Sequence, residues 1–175
     1  MIMERSSAKI FLLLFVLSSV TWLYALSMKN ITAGKLLKFG TVVFETTLDP
    51  AKEREVYRSV AEYSVIVFFS YPIVLITAFG FFKTTNRMFA TDGWLLMSAI
   101  LLFMFVPVEL FCFWLDWKIV GLNYWGEWPL EEFRKAALAR ITALAGVPLI
   151  AQLCYFTIPV LVLWKPFSRK SEILP

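Results

Sequence analysis

The sequence predicts an all-α integral membrane protein with four transmembrane helices, formed by residues 1–175 as a single domain. Hydrophobic residues make up 59% of the chain and charged residues 17%, whereas soluble domains have about 45–50% and about 25%. Four apolar segments are each long enough to cross a hydrocarbon core about 30 Å thick. A third observation, a repeated proline-started segment before the second and fourth spans, predicts two parallel tandem repeats.

The four predicted spans are separated by charged connectors. Each span contains about the 20 residues that a membrane helix needs, and only the third contains an ionisable residue, Glu109. The spans cover residues 10–28, 63–82, 94–115 and 141–164. The first resembles a signal peptide, but its apolar run is longer than the usual 7–15 residues, so we interpret it as a span. Prolines inside the spans predict kinks: Pro72, Pro107, Pro148 and Pro159.

Each repeat consists of a span, a long connector, a proline-started helix and a second span. Asp49-Pro50 precedes the second span, and Trp128-Pro129 precedes the fourth at an offset of 79 residues. Proline suits the first turn of a helix, and Asp49 is a good N-cap residue. We therefore expect helices 2 and 4 to project beyond the membrane as amphipathic extensions over about 50–62 and 129–140.

Apolar stripes at helical spacing run along both extensions. The stripes are Val56, Val60, Tyr63 and Val67 on the first, and Leu130, Phe133, Ala137 and Ile141 on the second. They predict that the two extensions pack on each other. A docking surface for a partner is the alternative.

The distribution of Lys and Arg predicts the orientation. The two long connectors, 29–62 and 116–140, lie on one side of the membrane, which we call the connector side. They contain ten basic and nine acidic residues, whereas the shorter segments on the opposite, terminal side contain seven basic and three acidic residues. The more densely positive side is expected to be cytoplasmic. This predicts a multi-pass protein of the cytoplasmic (plasma) membrane, with both termini in the cytoplasm.

The composition excludes much catalytic chemistry. The chain has no histidine, which removes the commonest metal ligand and the usual general base near neutral pH. No nucleophile–base pair, nucleotide fingerprint or catalytic turn is recognisable. The modest net charge of +4 favours contact with lipid head groups over nucleic acid. We predict no catalytic residue, no metal and no cofactor, and we expect bound lipid.

The candidate polar site lies within the spans and centres on Glu109. An ionisable residue inside a membrane is costly and usually faces a bundle interior or water. Glu109 and Asp116 are seven residues apart, which places them on one helix face about 10 Å apart. Either Glu109 carries a proton or cation, or it hydrogen-bonds a neighbouring helix or subunit. Other polar residues that could bond across helices are Gln152, Ser70 and Thr77.

Four tryptophans fall within fifteen residues: Trp114, Trp117, Trp125 and Trp128. Trp114 and Trp117 lie at the end of the third span, where indole rings prefer the head-group level. Trp125 and Trp128 are not explained by this level. We expect these two to pack against the other connector or a partner subunit.

The sequence favours a non-catalytic accessory or structural subunit of a larger membrane complex, which packs against larger subunits and lipid. The alternative is a small proton, metal-ion or solute transporter or channel that uses Glu109. A second alternative is a tetraspan scaffold or assembly factor. An enzyme is not expected.

Overall fold

The computed structural model describes residues 5–38, 41, 43–45, 49–126 and 129–166. Four helical stretches in this part of the chain are long and apolar enough to cross a membrane, as the sequence predicts: Ser6–Gly34, Pro50–Thr84, Gly93–Tyr124 and Leu130–Trp164. Two of them are divided by breaks. The helices are α1 (Ser6–Gly34), α2 (Pro50–Thr84), α3 (Gly93–Met104), α4 (Val106–Tyr124), α5 (Leu130–Thr142) and α6 (Val147–Trp164). An isolated antiparallel bridge joins Leu37 to Phe44 in the first connector.

Helix α2 is continuous from its outer extension through the membrane. Pro50 occupies its first turn, and Asp49 is its N-cap residue but makes no hydrogen bond through its side chain. The carbonyl of Asp49 instead accepts a bond from the N–H of Glu53 at 2.9 Å. At 1.5 Å per residue, its 35 residues extend about 52 Å, so α2 is longer than the hydrocarbon core.

The third and fourth of these stretches, which contain the predicted spans 94–115 and 141–164, are not single helices. Phe105 separates α3 from α4, two residues before Pro107. A 3₁₀ turn, Ala143–Gly146, separates α5 from α6 just before Pro148. Pro107 and Pro148 lie in the first turns of α4 and α6. A proline there costs no hydrogen bond, whereas inside a continuous helix it would remove one, so each break falls where the sequence predicts a kink.

The two outer extensions pack on each other, as their stripes predict. The rings of Tyr57 and Phe133 stack with centroids 5.1 Å apart, and Leu36 and Ala137 complete this small core. On α2, Val60 and Val67 of the predicted stripe are buried, whereas Tyr63 is only half-buried and Tyr57, which was not in the stripe, is buried. Each residue of a helix is rotated by about 100° from the one before, so tyrosines six residues apart point about 120° apart.

A central core fills the middle of the bundle, and a second one lies on the terminal side. The central core joins Trp22 of α1, Tyr71 of α2, Leu102 of α3 and Tyr155 of α6. Ala8, Phe81, Trp94 and Leu95 form the terminal-side core. Helices α1 and α2 approach closely at Gly80, where an added Cβ atom would lie 2.5 Å from the ring of Phe11.

Candidate functional site

A buried ion cluster ties together three helices on the connector side. The Nζ atom of Lys29 lies 2.5 Å from Oδ2 of Asp116, and Nε of Arg140 lies 3.0 Å from its Oδ1. The three side chains expose 4%, 1% and 14% of their surface, in the order Lys29, Asp116 and Arg140. One carboxylate of α4 is therefore shared by a cation from α1 and a cation from α5. We call these three residues the ion cluster.

The ion cluster was not predicted, although the sequence contains a signal for it. Lys29 follows the first predicted span, Asp116 follows the third, and Arg140 precedes the fourth. All three mark the same edge of the bundle, so they lie at one depth. Opposite charges at the same depth pair when their helices are neighbours, because an unpaired charge at the edge of hydrocarbon is costly.

Glu109 lies deeper on the same face of α4, as the seven-residue spacing predicts. It is 3% exposed, and its carboxylate lies near the hydroxyl of Tyr155. It interacts electrostatically with Lys29, Arg140 and Asp116. The structure thus brings Glu109 and Asp116 together on one face, with the paired cations on the connector side.

Three aromatic residues of the central core have polar atoms without hydrogen bonds. The indole ring of Trp22 contacts the rings of Tyr71 and Tyr155, with centroids 4.8 and 4.7 Å apart. In the described part of the chain, Nε1 of Trp22 and both tyrosine hydroxyls are buried without a partner. The hydroxyls lie near each other and near Glu109, but outside hydrogen-bond geometry. We call Trp22, Tyr71, Glu109 and Tyr155 the polar centre.

Of the other predicted polar residues, only Gln152 bonds across helices. Its Nε2 donates to Oγ of Ser27 at 2.9 Å, and its Oε1 accepts from Nδ2 of Asn30 at 2.8 Å. Ser70 and Thr77 are buried, but each donates to a carbonyl of its own helix at 2.7 Å. The predicted cross-helix role is therefore wrong for these two, because a helical Ser or Thr readily bonds the carbonyl four residues before it.

A cavity of about 280 Å³ opens against the ion cluster. Its walls include Lys29, Asp116 and Arg140, together with apolar side chains of α1, α5 and α6. A second cavity, of about 160 Å³, lies on the terminal side beside Arg87 and Trp94. Glu109 lines neither cavity. The central core separates the two.

A second buried charge joins the outer extensions. The guanidinium of Arg134 donates twice to Glu53, from Nε at 2.8 Å and from Nη2 at 2.6 Å. The hydroxyl of Tyr57 donates to the same carboxylate at 3.3 Å. Burial, followed by the charge and hydrogen bond of Glu53, raises the pKa of Tyr57. These residues were not predicted, although Glu53 precedes Tyr57 by four residues and so shares its helix face.

Two tryptophans of α4 and the one directly after its last residue form an exposed ridge. Trp114, Trp117 and Trp125 expose 56%, 54% and 61% of their surface. The rings of Trp117 and Trp125 lie 5.1 Å apart, and Nζ of Lys118 lies 4.2 Å from the centre of the Trp114 ring. We call Trp114, Trp117 and Trp125 the tryptophan ridge. Trp128 lies outside the described residues.

The structure answers only part of the prediction for Trp125. Its ring packs on Trp117 and near Gly121 of the preceding helix. Together with Trp117 it borders a groove between α4 and α5 that also contains Glu132 and Lys135. Most of the indole is exposed, so contact with a partner subunit stays a prediction.

The chemistry available to this arrangement is limited. Among the described residues, no three His, Cys, Asp or Glu side chains are placed to hold a metal ion. Cys112 and Cys154 are free thiols. The ion cluster can hold helices in register, and the polar centre can accept a proton or a small polar ligand. No family model, curated protein or solved structure matches the chain.

Proposed function

We propose that this chain is a non-catalytic accessory or structural subunit of a multi-subunit integral membrane complex. The tryptophan ridge is the observation that carries this proposal. Three indole rings with more than half of their surface exposed form an apolar ridge next to a groove that contains Lys118, Glu132 and Lys135. Buried aromatic anchors beside a polar rim are typical of protein–protein interfaces.

Lipid accounts for only part of this ridge. Trp114 and Trp117 flank Asp116, at the level where indole rings settle among head groups. Trp125 lies nine residues beyond Asp116, or about 13 Å along the helix. An indole that far beyond the membrane edge would be exposed to water unless a protein surface covers it. A partner that contacts Trp117 and Trp125 together would bury both rings.

The buried charges also support a structural role. Asp116 binds both cations of the ion cluster, and Glu53 binds Arg134. Each of these ion pairs joins side chains of two different helices. A subunit that supports larger partners needs such fixed geometry, and it needs neither a cofactor nor a catalytic group.

The experiment compares two variants of the tagged protein, expressed in its native membrane and extracted in a mild neutral detergent. Trp117→Ala/Trp125→Ala removes the outer half of the ridge. Trp164→Ala is the matched control, because Trp164 is 84% exposed on the terminal side. We expect the wild type and the control to copurify with larger subunits at fixed stoichiometry, and the double variant to lose them. A monodisperse wild type without any partner would refute the proposal, as would a double variant that retains the same subunits.

We further propose that the protein lies in the cytoplasmic membrane with both termini inside. The greater density of Lys and Arg on the terminal side supports this orientation. In a cysteine-free background, a cysteine at Lys52 and one at Met88 report opposite sides, since both positions are exposed. We expect an impermeant maleimide added to intact cells to label position 52 alone. Labelling of position 88 alone would reverse the orientation.

We also infer a parallel repeat, with α1 and α2 as one unit and α3 to α6 as the other. The start of α2 at Pro50 and the start of α5 directly after Pro129 support this relation. Superposition of the two units in an experimental structure tests it. Crossing angles that differ between the units by more than ordinary scatter would contradict a common architecture.

A proton or cation carrier is the second candidate function, and the polar centre favours it. Glu109 is buried, and the hydroxyls of Tyr71 and Tyr155 near it are buried without a partner in the described part of the chain. The test measures proton or cation flux into liposomes that contain the wild type or Glu109→Gln. Glu132→Gln is the control, because Glu132 is exposed. Flux that depends on Glu109 alone would favour a carrier over a subunit. A scaffold or assembly factor, the remaining alternative, would use the same ridge but would copurify only with incomplete complexes.

A further inference from the structure

We propose that the cavity against the ion cluster binds a phosphate-type anion, supplied in the membrane by the head group of an anionic lipid. This site is independent of the tryptophan ridge, which lies on a different face of α4, so it does not depend on the proposed subunit function. Three features of the cavity carry the inference: its charge, the unused donors of Arg140, and its apolar walls.

The walls of the cavity contain two cations and one carboxylate. Lys29 and Arg140 both bind Asp116, so the wall has one positive charge in excess. Glu109 lies deeper in the bundle and is not part of the wall. A charge excess at the edge of hydrocarbon favours a bound anion, because the medium there screens charges less than water does.

Arg140 presents donors that the protein does not use. Its Nε atom donates to Asp116 at 3.0 Å, whereas its two terminal nitrogens make no hydrogen bond within the described residues. These nitrogens are not enclosed by protein atoms, since they are absent from the buried polar atoms that lack partners. A guanidinium binds phosphate and carboxylate groups through two parallel donors.

The start of α6 contributes to the same cavity. Gly146, Pro148 and Leu149 line it, and α6 continues from there for 18 residues. The positive end of a helix dipole adds to the attraction of an anion. Here it supplements two cationic side chains that are already in place.

The remaining walls suit the apolar part of a lipid. Ala33, Leu36, Leu37 and Ile141 provide apolar surface, and Leu149 lies at the lining with 60% of its own surface exposed. The bonds of Gln152 to Asn30 and Ser27 join α1 and α6 deeper in the bundle. A volume of about 280 Å³ is at the small end of ligand pockets. It holds a head group, while acyl chains lie along the exposed faces of α1 and α6.

Gly34 allows the cavity to be filled without touching any charge. It lines the cavity, and a Cβ atom added there meets nothing within 4 Å. Gly34→Phe therefore places a ring in the cavity. Ile31→Phe is the matched control, because Ile31 lies three residues earlier on α1 and is 61% exposed. Arg140→Lys is the second test variant, since it keeps the charge beside Asp116 and removes the planar fork.

The experiment titrates each purified, delipidated protein in neutral detergent with phosphatidylglycerol, with phosphatidylcholine and with inorganic phosphate. Native mass spectrometry counts the bound molecules, and thermal unfolding verifies that each variant is folded. We expect one phosphatidylglycerol to bind the wild type and Ile31→Phe in preference to phosphatidylcholine. Loss of a bidentate contact in Arg140→Lys should weaken this binding roughly tenfold, and Gly34→Phe should abolish it.

Each outcome decides the proposal. Phosphatidylglycerol binding that is lost in folded Gly34→Phe supports a lipid head group. Saturable binding of inorganic phosphate, lost in the same variant, supports the anion site but assigns it to a soluble anion. If neither ligand binds the wild type, or if binding is unchanged in both Gly34→Phe and Arg140→Lys, the cavity is not an anion site.

Discussion

At the scale of single residues, Asp116 is where the buried charges meet. Its two oxygens engage cations from two other helices, and no other carboxylate in the described residues is shared between buried cations. A buried charge pair contributes little net stability against an apolar replacement, but loss of one partner leaves an uncompensated charge. The ion cluster therefore fixes the packing of α1, α4 and α5 more than it adds free energy.

Asp116→Asn should be strongly destabilising, because it removes the only carboxylate among the described residues that binds Lys29 and Arg140 directly. We expect the free energy of unfolding in detergent to fall by about 3–5 kcal/mol. Glu62→Gln is the control, since Glu62 and its partner Arg58 expose 53% and 72% of their side chains. Loss of that pair should cost less than about 1 kcal/mol. Equal effects of the two substitutions would contradict a structural ion cluster.

Tyr57 predicts a specific loss of stability in alkali. Burial and the neighbouring Glu53 raise its pKa in the folded protein, whereas the unfolded chain ionises at about pH 10. Above that pH the unfolded state binds fewer protons than the folded state, so the stability from Tyr57 is present below about pH 10 and falls as the pH rises. Unfolding temperatures measured from pH 8 to 11 should decline less steeply in Tyr57→Phe than in the wild type. Parallel profiles would exclude this contribution.

At the scale of elements, the outer extensions are joined by both apolar and charged contacts. Tyr57 stacks on Phe133, and one turn away Arg134 binds Glu53 through two hydrogen bonds. Glu53 is 2% exposed, whereas 44% of the Arg134 side chain is exposed. Water therefore solvates the Arg134 cation but not the Glu53 carboxylate, so the negative charge of Glu53 is stabilised mainly by Arg134.

A double-mutant cycle measures this contact. Glu53→Gln and Arg134→Gln should each lower the free energy of unfolding, with the larger loss from Arg134→Gln because it leaves a buried carboxylate unpaired. We expect a coupling energy of about 1–2 kcal/mol. The same cycle on Glu131 and Lys135, an exposed pair, provides the control. A coupling no larger than that of the control would indicate that the extensions pack through apolar contacts alone.

The turn between α5 and α6 depends on a left-handed backbone. Leu144, Ala145 and Gly146 have φ angles of 55°, 45° and 88°. Such angles cost an ordinary L-residue about 1–2 kcal/mol, and only glycine adopts them freely. The turn places the start of α6 against the ion cluster instead of continuing α5 straight through the membrane.

Gly146→Ala should lower the free energy of unfolding by about 1 kcal/mol, because alanine does not favour the left-handed region. Gly34→Ala is the matched control, since both glycines have free space at the Cβ position and only Gly146 has a positive φ. Alanine in a helix is preferred over glycine, so Gly34→Ala should be neutral or slightly stabilising. If both substitutions behave alike in thermal unfolding, the turn is not strained.

At the scale of the whole molecule, polar side chains are concentrated towards the connector side and in the middle of the bundle. The Glu53–Arg134 pair, the ion cluster and the polar centre follow one another in this order from the outer extensions towards the middle of the bundle. The opposite end combines an apolar core, which includes Ala8, Phe81 and Leu95, with the Arg87–Asp92 ion pair. Large exposed apolar residues cover α1, α2 and α6, as expected for helices that face lipid.

This placement predicts different environments for the exposed tryptophans. Trp125 lies eleven residues beyond Trp114, about 16 Å along the chain direction. In vesicles, a variant that retains only Trp125 should be quenched strongly by aqueous iodide, and one that retains only Trp114 should be quenched by brominated lipid. The two variants differ in nothing else that reports fluorescence. Equal iodide quenching would place both rings at the same depth.

Much of the fold follows from the sequence, because the hydropathy and length of a segment are local properties that do not depend on its tertiary contacts. Four apolar segments of about 20 residues predict four crossings, and the prolines predict where α3 and α6 are separated from their neighbours. The same pattern did not predict the left-handed turn, since Leu144 and Ala145 are ordinary helix formers. Their conformation depends on neighbouring helices.

For the candidate site, the seven-residue spacing was enough to predict that Glu109 and Asp116 share a helix face, because the period of an α-helix fixes that relation. It did not determine which charges they meet. Lys29 and Arg140 lie 87 and 24 residues from Asp116 along the chain, and the sequence does not distinguish a flanking charge that faces water from one that faces another helix. The packing of α1, α4 and α5 makes these residues neighbours at one depth, where burial requires the charges to pair.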